Sequence, residues 1–181
     1  MEYMRTVDLK DGRKCTLRHG TGNDGREALE AFIQMREETD YLLTYPEENT
    51  SSVEDEIAYL EKKAGSEREM EIVAEVDGEL VGMAGISAVG DSFKVRHRAE
   101  LGISVIREFW HLGIGRALMD ACVECAKDAG YEQIELSVVA DNERAVTMYK
   151  KDGFVEFGRN PRGFKSRISG YQELIYMRKE L

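Results

Sequence analysis

The stretch Glu100–Leu118, ELGISVIREFWHLGIGRAL, decides the fold. Ala99–Val105 reads as a strand closing on the β-branched Ile103 and Val105. Beyond it the spacing turns helical. Ile114, Ala117, Leu118, Ala121, Cys122 and Cys125 make one apolar stripe, with Asp120, Glu124 and Lys127 opposite. Gly113 and Gly115 stand at the mouth of that helix. Without side chains they let the backbone come close to a ligand. The first four N–H groups of a helix lack internal partners, and with the helix dipole they favour an anion such as a phosphate. The pattern is neither a dinucleotide fingerprint, because Leu118 stands where its third glycine belongs, nor a P-loop, because no Gly-Lys-Ser/Thr follows. By itself the glycine pair fits a plain strand-to-helix turn equally well.

Upstream, Glu69–Val89 reads as two strands joined at Asp77-Gly78, with Gly82 and Gly85 marking close packing of backbones. Before it lie two helical patterns. The first takes Asp24 as N-cap with Glu27 three residues on, and runs to about Glu38 with Ala28, Leu29, Phe32 and Ile33 inward. The second opens on Ser51 with Glu54, repeats at Val53, Ile57, Leu60 and Ala64, and stops near Gly65. The chain starts with a hairpin, Val7–Leu9 and Cys15–Arg18, around Asp11-Gly12. Downstream, Gly130 ends the central helix and YEQIELSVV forms a strand. Asn142–Lys151 is a helix with Ala145, Val146 and Tyr149 inward, and Gly153 stops it. Phe154–Phe157 begins a further strand, Gly158–Gly170 is a loop, and YQELIYMRK is the last strand. The order predicts an α+β (mixed α/β) fold. A single central, mostly antiparallel twisted sheet of about seven strands is flanked by about four helices, in one domain over residues 1–181.

The 181 residues suffice for a sizeable core, and 42% are apolar. No run approaches the ~18 apolar residues of a membrane span, and MEYMRTVDLKDGRK lacks the apolar core of a secretory signal. A cytoplasmic location is expected. Cys15, Cys122 and Cys125 are odd in number, and no second pair or nearby His completes a metal set, so they read as small buried hydrophobes. No metal is expected. The net charge of −10 speaks against nucleic acid or an anionic membrane as main partner. A phosphate-rich ligand would have to be held locally, by backbone N–H groups and a few placed cations. The acidity suits an amine acceptor as readily as it suits plain solubility.

Two segments, ISVIREFWHLGIGRAL and VVADNERAVTMYKKDGF, with a strand between them and this element order, resemble the GNAT superfamily of acyl-CoA-dependent N-acetyltransferases. The resemblance covers nearly the whole chain. It implies acetyl-CoA as co-substrate, with His111, Leu112, Gly113, Ile114, Gly115, Arg116 and Ala117 cradling its pyrophosphate. It implies that Ile103 and Val105 offer main-chain groups to the pantetheine arm and the acetyl carbonyl, and that Asn142 contacts that arm. Tyr149 would stand at the thioester sulfur. The family's Gln/Arg-x-x-Gly-x-Gly/Ala pattern has Trp110 at its first position here, so a side-chain phosphate contact is missing from that place. From the residues alone Asn142 is also a helix cap and Tyr149 a core aromatic.

The implied activity is acetyl transfer to a primary amine of a small molecule, an amino acid or a peptide N-terminus. Alkyl amines are mostly ammonium near neutral pH, so a base is useful. Glu100 through a water is the candidate; Ser137 stands where some relatives carry Glu, and Glu135 is expected to face away from it. A strand N–H near Val105 would support the oxyanion, and the Tyr149 hydroxyl would protonate the leaving thiolate. The acceptor walls are expected in Thr39–Thr50, with its acids and tyrosines, and in Gly158–Gly170, with Arg159, Arg162, Lys165 and Arg167. The resemblance also allows a homodimer. The alternative is a non-catalytic acyl-CoA-binding sensor or partner protein.

Overall fold

The computed structural model describes residues 2–181. A hairpin opens it: β1 (Met4–Asp8) and β2 (Lys14–His19) pair antiparallel, with Gly12 at φ 89° in the turn. Two helices follow, α1 (Gly25–Glu38) and α2 (Val53–Ala64). Then come β3 (Met70–Val76), β4 (Glu79–Ala88) and β5 (Arg98–Val105). The central helix is α3 (Ile114–Asp128); β6 (Gln133–Val139) and α4 (Glu143–Lys151) follow it. A long hairpin of β7 (Val155–Ser166) and β8 (Gly170–Glu180) completes the fold.

The strands make one sheet in the order β1-β2-β3-β4-β5-β6-β8-β7, antiparallel everywhere except between β5 and β6. The mixed α/β fold, with a mostly antiparallel central sheet and four α-helices, is as expected. The sheet has eight strands rather than about seven, since both arms of the first hairpin join it and β2 pairs with β3. The hairpin at Asp77-Gly78 carries φ of 54° and 85°, two successive positive values that match the twist of the flanking strands.

The helices cover opposite faces. A Cβ built at Gly82 would meet Leu118 of α3, whereas Gly85, of opposite parity, faces Glu71, which bonds Tyr59 of α2. Leu118, Met119, Ala121 and Ile134 have no exposed surface. Each large apolar side chain so buried contributes about 1.5–3 kcal/mol. Cys15, Cys122 and Cys125 are free and buried, in keeping with their reading as small hydrophobes.

Several local expectations shift. Asp24 does not cap α1 with its side chain. Its carboxylate accepts instead from Arg18 (2.7 and 2.9 Å) and from the Thr21 N–H (2.8 Å) of the preceding 3-10 turn. The capping box of α2 is Ser52 with Asp55, one residue later than the Ser51–Glu54 reading. Gly65 stops α2 in a right-handed conformation, at φ −79°. Gly158–Gly170 is mostly strand rather than loop. The Asn160–Phe164 step holds a bulge that lets Pro161 sit in a strand without breaking the hairpin.

Candidate active site

The site begins where the sheet comes apart. β5 and β6 pair only at Arg98–Glu100 against Gln133–Glu135, then run on to Val105 and Val139 without bonding each other. Which groups face the gap follows from the ladders on either side. The Val89 N–H donates to the Arg98 carbonyl (3.1 Å) and the Ile106 N–H to the Val81 carbonyl (2.9 Å). In an antiparallel pair alternate residues bond the same neighbour. Even-numbered residues of β5 therefore turn to β4, and Ile103 and Val105 turn their main-chain groups to the gap. The same reasoning from Ala140 N–H to Glu173 carbonyl (2.9 Å) turns Ser137 and Val139 toward it from β6.

Trp110 modifies this edge. Its indole Nε1–H donates to the Val105 carbonyl at 2.6 Å, which leaves the Val105 N–H and both Ile103 groups unused on that side. The guanidinium groups of Arg107 (5.4 Å) and Arg144 (5.6 Å) both lie over its ring. Where the family pattern has a phosphate-contacting side chain, this chain has one that braces the strand end.

Past Trp110 the backbone turns sharply, with His111 at φ 68° and Gly113 at φ 107°. Gly113 precedes α3 with no side chain to cap it, and a Cβ there would meet nothing within 4 Å. The first ladder bond runs from the Ala117 N–H to the Gly113 carbonyl (3.0 Å). The N–H groups of Ile114, Gly115 and Arg116 are thus left over, and no acid stands in the first turn. Two of the expected cradle residues differ in detail. Ala117 has its N–H already paired. The Arg116 side chain is held by Asp120 (3.2 Å) and Asp152 (3.0 Å), so only its main chain is free. Leu112 uses its carbonyl on the Lys10 N–H (3.2 Å), which brings the first hairpin to the rim of the cleft. Lys10 had no signal in the sequence, since it lies about a hundred positions from the loop it serves.

The resulting cleft, about 1310 Å³, takes in Glu100, both faces of the gap, Asn142 and Tyr149. Asn142 caps α4 through Oδ1, which accepts from the Ala145 N–H at 3.3 Å. Its amide N–H groups remain for the cleft. Tyr149 is 8% exposed and packs on Phe154 with ring centroids 5.6 Å apart. Its hydroxyl has no hydrogen-bond partner among the described residues, and burial pushes it up to about 12, so it stays protonated. Glu100 is exposed and lies in register with Ser87 and Glu135. Glu135 does not face away from Ser137: residues two apart on a strand share a face. It is set apart instead by its partners, since Arg98 and Gln133 occupy its carboxylate.

The two expected acceptor walls are tied to each other. Asp40 accepts from Ser166 (2.7 Å), Ser169 (2.9 Å) and Gln172 (3.2 Å), and the Tyr45 hydroxyl accepts from the Arg167 N–H (2.8 Å). Arg167 pairs with Glu47, and Arg159 with Glu156 and Glu173. Arg162 and Lys165 lie over the Tyr171 ring. The basic wall is therefore largely engaged in holding the hairpin. Charged groups that do face a ligand-sized space were missed in the sequence. Arg36 of α1 and Glu71 of β3 line a second cavity of about 360 Å³, adjoining the cleft at Glu100 and Ile103.

This fold has counterparts among solved acetyltransferases. The chain superposes on an acetyltransferase of the GNAT family from Streptococcus pneumoniae with a TM-score of 0.88 and 26% identity, over 92% of this chain and 99% of that one. The structure of yncA from Salmonella typhimurium, solved with its cofactor acetyl-CoA, shares the fold (TM-score 0.81, 17% identity, 92% and 94% covered). The acetyltransferase (GNAT) family model matches residues 30–154, and the chain belongs to that family. Among curated proteins it is similar to the L-amino acid N-acetyltransferase AaaT of Escherichia coli (strain K12), 33% identical over 108 residues. That match takes in 59% of this chain and 65% of the relative. It is similar also to an N-alpha-acetyltransferase of Sulfurisphaera tokodaii, 37% identical over 46% of this chain and 55% of that protein. The chain thus spans between half and two thirds of the length of these curated relatives.

Proposed function

We propose that the protein transfers an acetyl group from acetyl-CoA to a primary amine of a small molecule, an amino acid or a peptide N-terminus, by direct attack with both substrates bound. The observation that carries this is the convergence on one cleft of three unspent N–H groups at the mouth of α3, an unpaired strand edge and the unpartnered hydroxyl of Tyr149. The names of the E. coli and S. tokodaii relatives support an amino-acid or N-terminal acceptor.

The residues present fit the co-substrate. The N–H groups of Ile114, Gly115 and Arg116 would hold its diphosphate, with His111 and Leu112 shaping the turn, the bare Gly113 leaving room and Lys10 adding a cation. The edge of β5 at Ile103 and Val105, with the Asn142 amide opposite, would hold the pantetheine arm in the gap. Acetyl-CoA supplies a thioester carbon for attack. The Val105 N–H would donate to the carbonyl oxygen as it gains charge. Glu100, through a water, would take the proton from the incoming ammonium. The Tyr149 O–H would protonate the departing sulfur.

The test is release of free thiol from acetyl-CoA in the presence of an amine panel. Tyr149→Phe is expected to lower kcat by about 10²–10³-fold, the scale of a lost general acid, with acetyl-CoA affinity retained. Binding of acetyl-CoA with no release across the panel would instead favour the non-catalytic sensor.

A further inference from the structure

The smaller cavity lies on the α1/α2 face of the sheet, and its floor is unusual. Glu71, Gly85 and Gly102 are register partners on three adjacent strands. The Glu71 side chain crosses into the space that Gly85 leaves: a Cβ built at Gly85 would collide with its Oε2. At Gly102 a Cβ would meet nothing within 4 Å. The two glycines therefore make a trough across the sheet. Its far end is the Glu71 carboxylate, and its near end opens beside Glu100 at the gap. Strands are about 4.8 Å apart, so the whole trough is the length of a small molecule. At about 360 Å³ the cavity lies within the ~300–1,000 Å³ of small-molecule sites.

Two opposite charges face this space, and neither has a counter-ion. Glu71 accepts from the Tyr59 hydroxyl (3.0 Å) and belongs to no ion pair among the described residues. The cation nearest in effect, Lys63, is already spent on the Ile86 carbonyl, Ser87 and Glu69. Arg36 stacks on Phe32, gives Nε to Thr44 (2.7 Å) and Nη1 to the Phe32 carbonyl (3.1 Å), and likewise belongs to no ion pair. Glu56 of α2 acts on both only at a distance. Both are half-buried, and that desolvation pushes Glu71 up to about 7 and pulls Arg36 down to about 10. Charges partly withdrawn from water in this way are relieved by a ligand of opposite sign. A guanidinium with free donors suits a carboxylate, which it meets in a planar fork.

We propose that the acceptor is a free amino acid, bound as a zwitterion in this trough, its carboxylate on Arg36 and its amino group over Gly102 between Glu71 and Glu100. This rests on the acetyl transfer proposed above and narrows its acceptor to one class. A peptide N-terminus or a plain amine carries no carboxylate next to the amine, and would leave Arg36 unrelieved.

The experiment compares free L-amino acids with their amides and with the matching decarboxylated amines, by thiol release from acetyl-CoA, while acetyl-CoA binding is followed separately by calorimetry. The free acids are expected to show kcat/KM at least tenfold above the amides. Arg36→Gln should raise KM for the acids at least tenfold and for the amides, whose neutral carbonyl is a weaker acceptor, by clearly less, with Arg36→Lys, which keeps the charge without the fork, in between. Glu71→Gln should weaken free acids and amides alike, since both present an ammonium. Equal use of acids and amides, or an Arg36→Gln change of the same size on both, overturns the proposal while transfer itself stands. A wild-type protein that binds no acetyl-CoA, or binds it and acetylates nothing, brings down the transfer reading and this proposal with it.

Discussion

Glu71 is a single carboxyl group whose protonation is linked to folding. Its folded value is raised from 4.5 to about 7, chiefly because burial penalises the anion. The sign follows. Below the unfolded value the group is neutral in both states and costs nothing. Between that value and about 7 the unfolded chain has given up its proton while the folded one still holds it, so stability falls across this window and the loss is complete once pH has risen through 7. Glu71→Gln keeps an oxygen for the Tyr59 hydroxyl and removes that cost. The variant is expected to melt about 3 °C or more above wild type at pH 8, and level with it at pH 4; equal melting at both pH values would sink the assignment. The sequence hid Glu71 because an acid within a strand normally faces water. Only its register against two glycines reveals the trough. The inward setting of Tyr149, by contrast, was legible, because helical spacing put it on the apolar face of α4.

At the scale of an element, α3 and its entry loop were the readable part. The glycines, the apolar stripe and the strand before them are all local, and local patterns survive folding. Side chains whose partners lie far along the chain were not readable. Arg116 looked free to meet a phosphate, yet it is held by Asp120 and by Asp152 (3.0 Å) from the end of α4. The entry loop also makes a sharp prediction. Gly113 sits at φ 107°, where an L side chain is strained even with open space around it. Gly113→Ala should cost about 1–3 kcal/mol of stability by denaturant titration and raise KM for acetyl-CoA, because relief of the strain would swing the free N–H groups out of line. A variant with wild-type KM would show that the loop's conformation is not what presents those donors.

Across the whole molecule, the gap between β5 and β6 divides the sheet into two wings, and contacts far apart in sequence keep the wings in place. Asp40 is the centre of one such latch, tying the segment after α1 to the turn of the last hairpin through Ser166, Ser169 and Gln172. Buried Gln172 also donates to the Asp40 main-chain carbonyl (3.0 Å), a bond that an alanine would keep, so what the carboxylate alone supplies is the hold on Ser166 and Ser169. Asp40→Ala should cost about 1–3 kcal/mol and make the Arg167–Ser169 turn the first site of proteolysis. Unchanged cleavage there would mean that the hairpin holds without the latch. The element order and sheet class could be read in advance, since each strand and helix carries its own periodicity. The eighth strand, the length of β7 and the latch could not, because each depends on a pairing that only the folded chain makes.

The chain contains one tryptophan, and the fold has put it at the lip of the cleft, its indole bonded to the end of β5 and its ring under two guanidinium groups. Excitation of that ring therefore yields an emission signal free of any other indole, from the spot where an incoming thioester would alter polarity and quenching. The molecule carries its own optical reporter, and occupancy of the gap can be titrated without a label, independently of turnover.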